Sequence, residues 1–548
     1  APIRAAAPIF ENGTPVGFVT PDSTTTQDFV SGATVEIRVD LNQAATDDHP
    51  VIGHFHSLER SEQLSTTDTD GSWVDVAMWD EAPFGTVSGS INAIHMAWIE
   101  ASTSTTGPAF TGGSTPAYEV YYARSEDGGA SFSSPLSVSA GLSYYVLSVD
   151  GAGSSFSTLD LEVDSRGNPR VTYAFVTTAD HSANRNVYFA YSDSGGHSWK
   201  TPISVNDVST IGTEGTASAF PRMVVDDRDE IFIAYERGTD AATGDIILAK
   251  VNRTTSPFSM EAIGSLGTVG SAGGVRLTVD GKRHTGVDLA LGDDDALHAV
   301  YFSDADNRIE YKRAATDDSW LDVSADGWDR DVDGSVVGSF VDEAAGNTAL
   351  DVDVTHFFPT IVVDRQRLPD RVYSVYKYAD STPIEGIYLN QYDDDGSTGA
   401  SATWGTATTA WSTGATPLFA DGLGEYGPEL DWFHTERVAA FVDDRLTDER
   451  GDLHIAFSAG YSGSLADEHD IYLATYNGAS WTLPEKVADV DSDGAGTEDG
   501  IANTDIYLGS PALTHYPDSD HLFLAFIGGT GEGYGINGVS NVDHHPYF

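Results

Sequence analysis

Hydrophobic and polar positions along this chain alternate in short runs, and one run comes back seven times. It reads Ile94-His-Met-Ala-Trp98, Val171-Thr-Tyr-Ala-Phe175, Ile231-Phe-Ile-Ala-Tyr235, Leu297-His-Ala-Val-Tyr301, Val372-Tyr-Ser-Val-Tyr376, Leu453-His-Ile-Ala-Phe457 and Leu522-Phe-Leu-Ala-Phe526. Successive copies start roughly 60 to 80 residues apart, the period of one supersecondary unit in a radial array. Upstream of most copies stands a second apolar run ending in an acidic turn, as in Leu159-Asp-Leu-Glu-Val-Asp164, Met223-Val-Val-Asp-Asp227 and Ile361-Val-Val-Asp364. Downstream comes a Tyr-rich alternating run, such as Val120-Tyr-Tyr-Ala-Arg124 or Ile471-Tyr-Leu-Ala-Thr475, then a short piece with Pro or Trp. β-Branched and aromatic residues with period-two alternation and Gly, Asp or Asn turns make four short strands per unit, and no long stretch has helical periodicity.

The pattern predicts an all-β chain, a seven-bladed β-propeller of four-stranded antiparallel blades, with six or eight blades as the other counts. An eighth would recruit Val51-Ile-Gly-His-Phe55, a faint match. The last unit is short of a strand, so residues 33–42 are expected to complete it, closing the ring and covering a sheet edge. This divides the chain into an N-terminal segment, 1–71, carrying the closing strand and an attachment region, and a propeller, 72–548.

Composition narrows the setting. The chain of 548 residues is 40% hydrophobic, ample for a large core, yet carries 84 acidic against 28 basic residues, a net charge of −56. Such self-repulsion opposes compaction in dilute buffer, whereas molar salt shrinks the Debye length to about 3 Å. A salt-adapted organism, or its virus, is the expected source, and high salt the expected condition for stability. Nucleic acid is excluded as a partner for lack of basic patches, and no apolar run is long enough to insert in a membrane. There is no cysteine. Ala1-Pro-Ile-Arg-Ala has no signal-peptide character, which suits a virion protein released by lysis. Two sequons, Asn12-Gly-Thr14 and Asn252-Arg-Thr254, permit surface glycosylation.

After the third strand of the first unit comes Ser125-Glu-Asp127-Gly-Gly129-Ala-Ser-Phe132, and in the second Ser192-Asp-Ser194-Gly-Gly196-His-Ser-Trp199. The first resembles the Asp-box of sialidase-type, BNR-repeat propellers, and the second is a degraded copy with Ser194 in place of Asp. A short polar side chain bonds backbone N–H groups, Gly takes a positive φ, and the aromatic packs beneath. The resemblance implies that Ser125, Asp127, Gly129, Phe132, Ser192, Gly196 and Trp199 are structural and lie away from any active centre. It also implies an extracellular or surface protein that handles glycans.

A sialidase-like site would need an Arg triad, a Tyr–Glu pair and an acid/base Asp. Arg222, Arg276 and Arg437 are the candidate clamps for a substrate carboxylate, since bidentate Arg suits that group. The family's Phe-Arg-Ile-Pro signature is missing, and Phe220-Pro-Arg-Met223 has its composition in another order. Strand-end ion pairing is the plainer role for Arg222 and Arg437. Two carboxylates at about 5–10 Å would serve glycoside hydrolysis, but 84 acids leave the pair unchosen.

Asp329, Asp331 and Asp333, and again Asp489, Asp491 and Asp493, have the alternate spacing of a structural Ca²⁺ loop, each followed by Gly but without the loop's closing Glu. Solvated acidic turns are the alternative. His95, His298 and His454 share one repeat position and read as packing residues. Trp404 and Trp411, in the insertion 396–417, and the loop 100–118 offer surfaces for stacking on sugars. The leading expectation is a non-catalytic propeller displayed outside the cell as a virion surface, turret, fibre or spike component. It would bind a host-surface glycan or glycoprotein, or other virion subunits, or associate with itself. The alternatives are a secreted sialidase-like glycoside hydrolase and a halophile cell-surface adhesion module.

Overall fold

Runs in which branched and aromatic residues alternate with polar ones fold as strands, and every regular element among the described residues is one. The structure, a computed structural model, describes residues 7–11, 14–19, 35–37, 71–78, 93–106, 116–139 (save 128 and 130), 159–176, 185–206, 217–240, 243–260, 275–278, 283–292, 296–303, 308–313, 339–340, 359–365, 370–379, 385–394, 408–412, 438–442, 451–461, 468–488 (save 483), 507–515, 522–529 and 544–547. The chain divides into two units, 1–59 and 60–548. In the first, β1 (Ala7–Glu11) pairs with β2 (Thr14–Val19) and β3 (Val35–Ile37), in the order β2-β1-β3.

The second unit is a propeller of antiparallel sheets. Blade one holds β4 (Gly71–Met78), β5 (Ile94–Thr106), β6 (Pro116–Ser125) and β7 (Leu136–Ser137). Blade two holds β8 (Leu159–Val163), β9 (Pro169–Val176), β10 (Arg185–Tyr191) and β11 (Ile203–Ser204). Blade three holds β12 (Ala217–Val225), β13 (Ile231–Asp240), β14 (Thr243–Asn252) and β15 (Ser259–Met260), with β16 (Val275–Arg276) also on β14. Blade four is β17 (His284–Leu291), β18 (Leu297–Ser303), β19 (Arg308–Arg313) and β20 (Ser339–Phe340). Blade five is β21 (Thr360–Asp364), β22 (Asp370–Ala379), β23 (Glu385–Asp394) and β24 (Thr408–Ser412). Blade six joins β25 (Ala439–Val442), β26 (Leu453–Tyr461), β27 (Glu468–Tyr476), β28 (Glu485–Ala488), β29 (Tyr507–His515), β30 (Leu522–Gly529) and β31 (His544–Tyr547) in one seven-stranded sheet.

Two expectations are corrected here, the blade count and the position of the second repeat copy. There are six blades and not seven, because one parallel pair, His469 with Tyr507, joins the sixth and seventh repeats into a single sheet. The two halves of that sheet still pack on each other through Ala439, Ala456, Ile471 and Ala488 against Phe526. Of residues 33–42, the expected closing strand, the described part is β3, which pairs with β1; the rest lies outside the described residues. The last repeat meets blade one by packing, with Ala512, Ala525 and Ile527 against Val76, Met96 and Trp98. Finally, the second copy of the repeat is Pro169–Tyr173, two residues before the apolar match. Val163 faces Pro169 across the first hairpin just as Met78 faces Ile94 and Val225 faces Ile231. A shift of two leaves every side chain on its own face, so hydrophobic alternation does not detect it.

The first strands of successive repeats touch in a closed ring, β4, β8, β12, β17, β21, β25, β29 and back to β4, and so line the central channel. The first six are each the inner edge of a sheet and leave N–H groups without ladder partners, while β29 lies between β27 and β30. One side-chain position answers this need. Three residues before the residue that faces the start of each repeat copy (Val363 facing Val372 in β21, whose ladder runs one pair further) stand Asp75, Asp160, Arg222, Asp288, Thr360, Ala439 and Ala512. Asp75 Oδ2 accepts from Leu161 N at 3.0 Å, Asp160 Oδ2 from Met223 N at 2.6 Å, and Asp288 Oδ2 from Ile361 N at 2.9 Å. Each bond runs from one blade's inner strand to the next. Arg222 fills the same position with reversed polarity: its NH1 donates to Leu159 O at 3.2 Å, and its Nε lies 3.6 Å from Asp288 Oδ1. Thr360 Oγ1 carries the series onward by donating to Val438 O at 2.8 Å.

These bonds are buried, so removing one partner costs more than the bond contributes. Asp288→Ala leaves both Ile361 N–H and the Arg222 guanidinium short of an acceptor and is expected to lower unfolding stability by about 3 kcal/mol. Thr360→Val should cost about 1 kcal/mol. Equilibrium denaturation of both variants in molar salt measures the difference.

Candidate active site in the central channel

β8 presents two faces. Leu159, Leu161 and Val163 pack with blade one, against Ala97, Val120 and Tyr122. Asp160 and Glu162 therefore take the other face, toward blade three. Asp160 is tied to Met223 N and lies 3.6 Å from Arg222 NH1. Glu162 is half-buried. In the other repeats its position holds Ala77, Val224, Ala290, Val362, Phe441 and Thr514, none of them ionisable. The residue opposite it on β9, Arg170, is buried and committed elsewhere, to the Asp164 carboxylate and the Ser192 carbonyl.

Desolvation pushes the Glu162 carboxyl well above the usual carboxylate range, and the negative charges of Asp160, Asp75 and Asp288 push it further, while Arg365 opposes them. Those four groups belong to blades two, one, four and five, so Glu162 feels charge from round the ring. Arg365 itself is held at the rim, its Nε donating to Leu291 O at 2.9 Å and its NH1 lying 3.7 Å from Asp227. The inner strand β8 thus carries a carboxyl of raised proton affinity one dyad from Asp160. Two residues along a strand place their Cα atoms about 6.6 Å apart on one face.

Arg222 is buried in the ring of inter-blade bonds just described. Arg276 lies on β16, opposite Ile247; Trp411 lies on β24, opposite Ile387. Arg437, Trp404, Asp329, Asp331, Asp333, Asp489, Asp491 and Asp493 lie outside the described residues, as do most of the loops 100–118 and 396–417. Among the described residues, no group of three or more His, Cys, Asp or Glu is placed to hold a metal ion.

The Asp-box residues form turns on the blades' outer half. Ser125 Oγ accepts from Gly129 N at 2.8 Å, and Asp127 Oδ1 accepts from Ser131 N at 2.9 Å. In the second box Ser194 takes the aspartate's part, its Oγ accepting from Ser198 N at 3.0 Å, while Ser192 Oγ accepts from Gly196 N at 3.0 Å. Gly129 and Gly196 have φ of 91° and 86°. Phe132 packs beside the core between blade one and the last repeat, and Trp199 meets Tyr122 edge-on at 4.9 Å. The second box also staples two blades, since Arg124 of blade one donates to Gly195 O at 2.7 Å and to His197 Nδ1 at 2.8 Å.

The repeat-position histidines are packing residues: Nδ1 of His95 meets Tyr122 Oη at 2.6 Å, that of His298 meets Tyr311 Oη at 2.7 Å, and that of His454 meets Thr475 Oγ1 at 2.9 Å. Burial, then the nearby Arg124 charge, holds His95 down at about 3, so it is neutral.

No protein-family model matches the chain, and no curated protein matches it in sequence. Among solved structures it is similar to a protein of unknown function from Dyadobacter fermentans, at 11% identity over 76% of this chain and 97% of that one, with a TM-score of 0.42. It is also similar to the NanB sialidase of Streptococcus pneumoniae (12% identity, 98% and 80% covered, TM-score 0.40) and to a family PL25 ulvan lyase (9% identity, 88% and 95% covered, TM-score 0.43). Likeness at this level carries no argument about chemistry, which must come from the site itself.

The raised Glu162 carboxyl has a consequence for stability. The native state keeps its proton at pH values where the unfolded chain has lost it, so the wild type loses stability as pH rises from the ordinary carboxylate range to the raised value. Glu162→Gln is expected to remove that loss, melting at a higher temperature than wild type above the window and equally below it. Thermal melts across pH 4 to 9 (roughly the span of ordinary and buried carboxyls) test this.

Proposed function

We propose that the protein is a glycoside hydrolase working in the central channel, with Glu162 as general acid and Asp160 as the accompanying carboxylate. The observation that carries the reading is the placement of two carboxyl groups one dyad apart on one face of β8, one bonded to N–H and facing a guanidinium, the other raised well above the usual carboxylate range by burial and by neighbouring carboxylates. Acetal cleavage needs this division of labour. A proton must reach the leaving oxygen as its bond to the anomeric carbon lengthens, and a negative charge must stand near the cation that develops. Glu162 brings the proton, since burial and the surrounding carboxylates disfavour its ionised form. Asp160 brings the charge, oriented by Met223 N–H. The Asp-box resemblance to glycan-handling propellers agrees with the substrate class.

The test is release of reducing sugar from a panel of neutral and anionic polysaccharides, by full-length protein in molar salt. Glu162→Gln should lower kcat at least about 100-fold with little change in KM, the usual size of a general-acid contribution. The wild-type rate should fall as pH rises through the raised Glu162 value. Sugar release that survives Glu162→Gln unchanged, or no release from any member of the panel, defeats the proposal.

A further inference from the structure

The turn between β14 and β15 of blade three carries Asn252-Arg253-Thr254, and its geometry singles out one atom. Asn252 Oδ1 accepts from Thr254 N at 2.9 Å and from Thr254 Oγ1 at 2.6 Å. The carboxamide oxygen is thus doubly engaged, while among the described residues Nδ2 has no partner. Residues 254–257 are exposed and Asn252 half-buried, so the amide stands at a surface turn. The turn is held open from both ends: Arg253 donates to Arg228 O at 2.8 Å and to Asp229 Oδ2 at 3.2 Å, and Thr255 Oγ1 lies 3.0 Å from Ser259 Oγ. Neither Arg253 nor Thr255 is proline, so the hydroxyl two residues on can face the amide as it does here.

We infer that Asn252 is a site of N-glycosylation. The donor is a glycan carried on a lipid diphosphate. Nδ2 attacks the anomeric carbon of its first sugar, the N–C bond forms, and the C–O bond to phosphate breaks with its electron pair staying on the lipid diphosphate. The amide proton passes to a base of the transferring enzyme. The structure contains its own control. Asn477 caps the corresponding turn of blade six in the same way, Oδ1 accepting from Ala479 N at 3.0 Å and Ser480 N at 2.9 Å, but Ala479 puts no hydroxyl two residues on.

The experiment is intact-mass measurement and peptide mapping of the full chain exported from cells that make lipid-diphosphate glycans and that modify a reporter sequon in the same culture. The peptide spanning 251–260 should carry a glycan mass, and the peptide containing Asn477 none. Asn252→Asp keeps the oxygen that caps the turn and removes Nδ2, Thr254→Val removes the hydroxyl, and Thr254→Ser retains it. The adduct should vanish in the first two variants and persist in the third. An unmodified 251–260 peptide beside a modified reporter overturns the inference, as does an adduct that survives Asn252→Asp.

Discussion

A propeller's weak point is the inner edge of every blade, and in this chain a side chain from the neighbouring blade covers it. Asp75, Asp160 and Asp288 each reach across to an inner-strand N–H that no ladder bond satisfies. Backbone pairing cannot do this, because successive inner strands belong to different sheets over most of the ring. The bond to a carboxylate is charge-assisted and buried, which makes it strong when made and costly when broken. Two devices elsewhere in the ring follow from the same need. Arg222 reverses the polarity and so completes the second acceptor of Asp288, and Thr360 turns a hydroxyl onto a carbonyl. Where the position becomes Ala439 and Ala512, the two repeats concerned share a sheet.

Most of the architecture was legible because it is periodic. The strands, their order and the four-per-blade plan follow from the alternation of Val, Ile, Tyr and Phe with polar residues between Asp-Gly turns. What periodicity could not settle was anything that preserves it. The two-residue offset of the second repeat keeps Val171 and Tyr173 in the core with either alignment, and only the pairing of Val163 with Pro169 shows the offset. The fusion of the last two repeats depends on one pair, His469 with Tyr507, that no pattern announces. Residues 35–37 have good strand character, but strand character does not name a partner, and their partner is β1, near in sequence.

The candidate site was hidden by abundance. Among 84 acidic residues a functional pair has no compositional signature. A signal existed in the repeats themselves. Once the first strands are registered on the residue that faces the start of each repeat copy, Glu162 is the one ionisable residue at a position otherwise filled by Ala77, Val224, Ala290, Val362, Phe441 and Thr514. A slot that six repeats keep uncharged is a packing slot, and the seventh occupant departs from it at a cost in desolvation. Arg222 drew attention from sequence for the opposite reason: it has the chemistry of a carboxylate clamp, and the fold uses that chemistry on its own Asp160 and Asp288.

The two carboxylates of β8 show how one scaffold serves structure and chemistry together. Asp160 is fixed because the ring needs its bond to Met223, and that same bond orients a negative charge in the channel. Glu162 answers no structural need. Burial first, and then the charges of Asp160, Asp75 and Asp288, raise its affinity for a proton, against the pull of Arg365; Asp75 and Asp288 are themselves held by inter-blade bonds and Arg365 by the Leu291 carbonyl. A shift produced in this way does not depend on a dedicated partner. It follows from burying an extra carboxyl in a ring already built from carboxylates, so the groups whose inter-blade bonds stabilise the propeller also contribute to the acidity of the group proposed to act there.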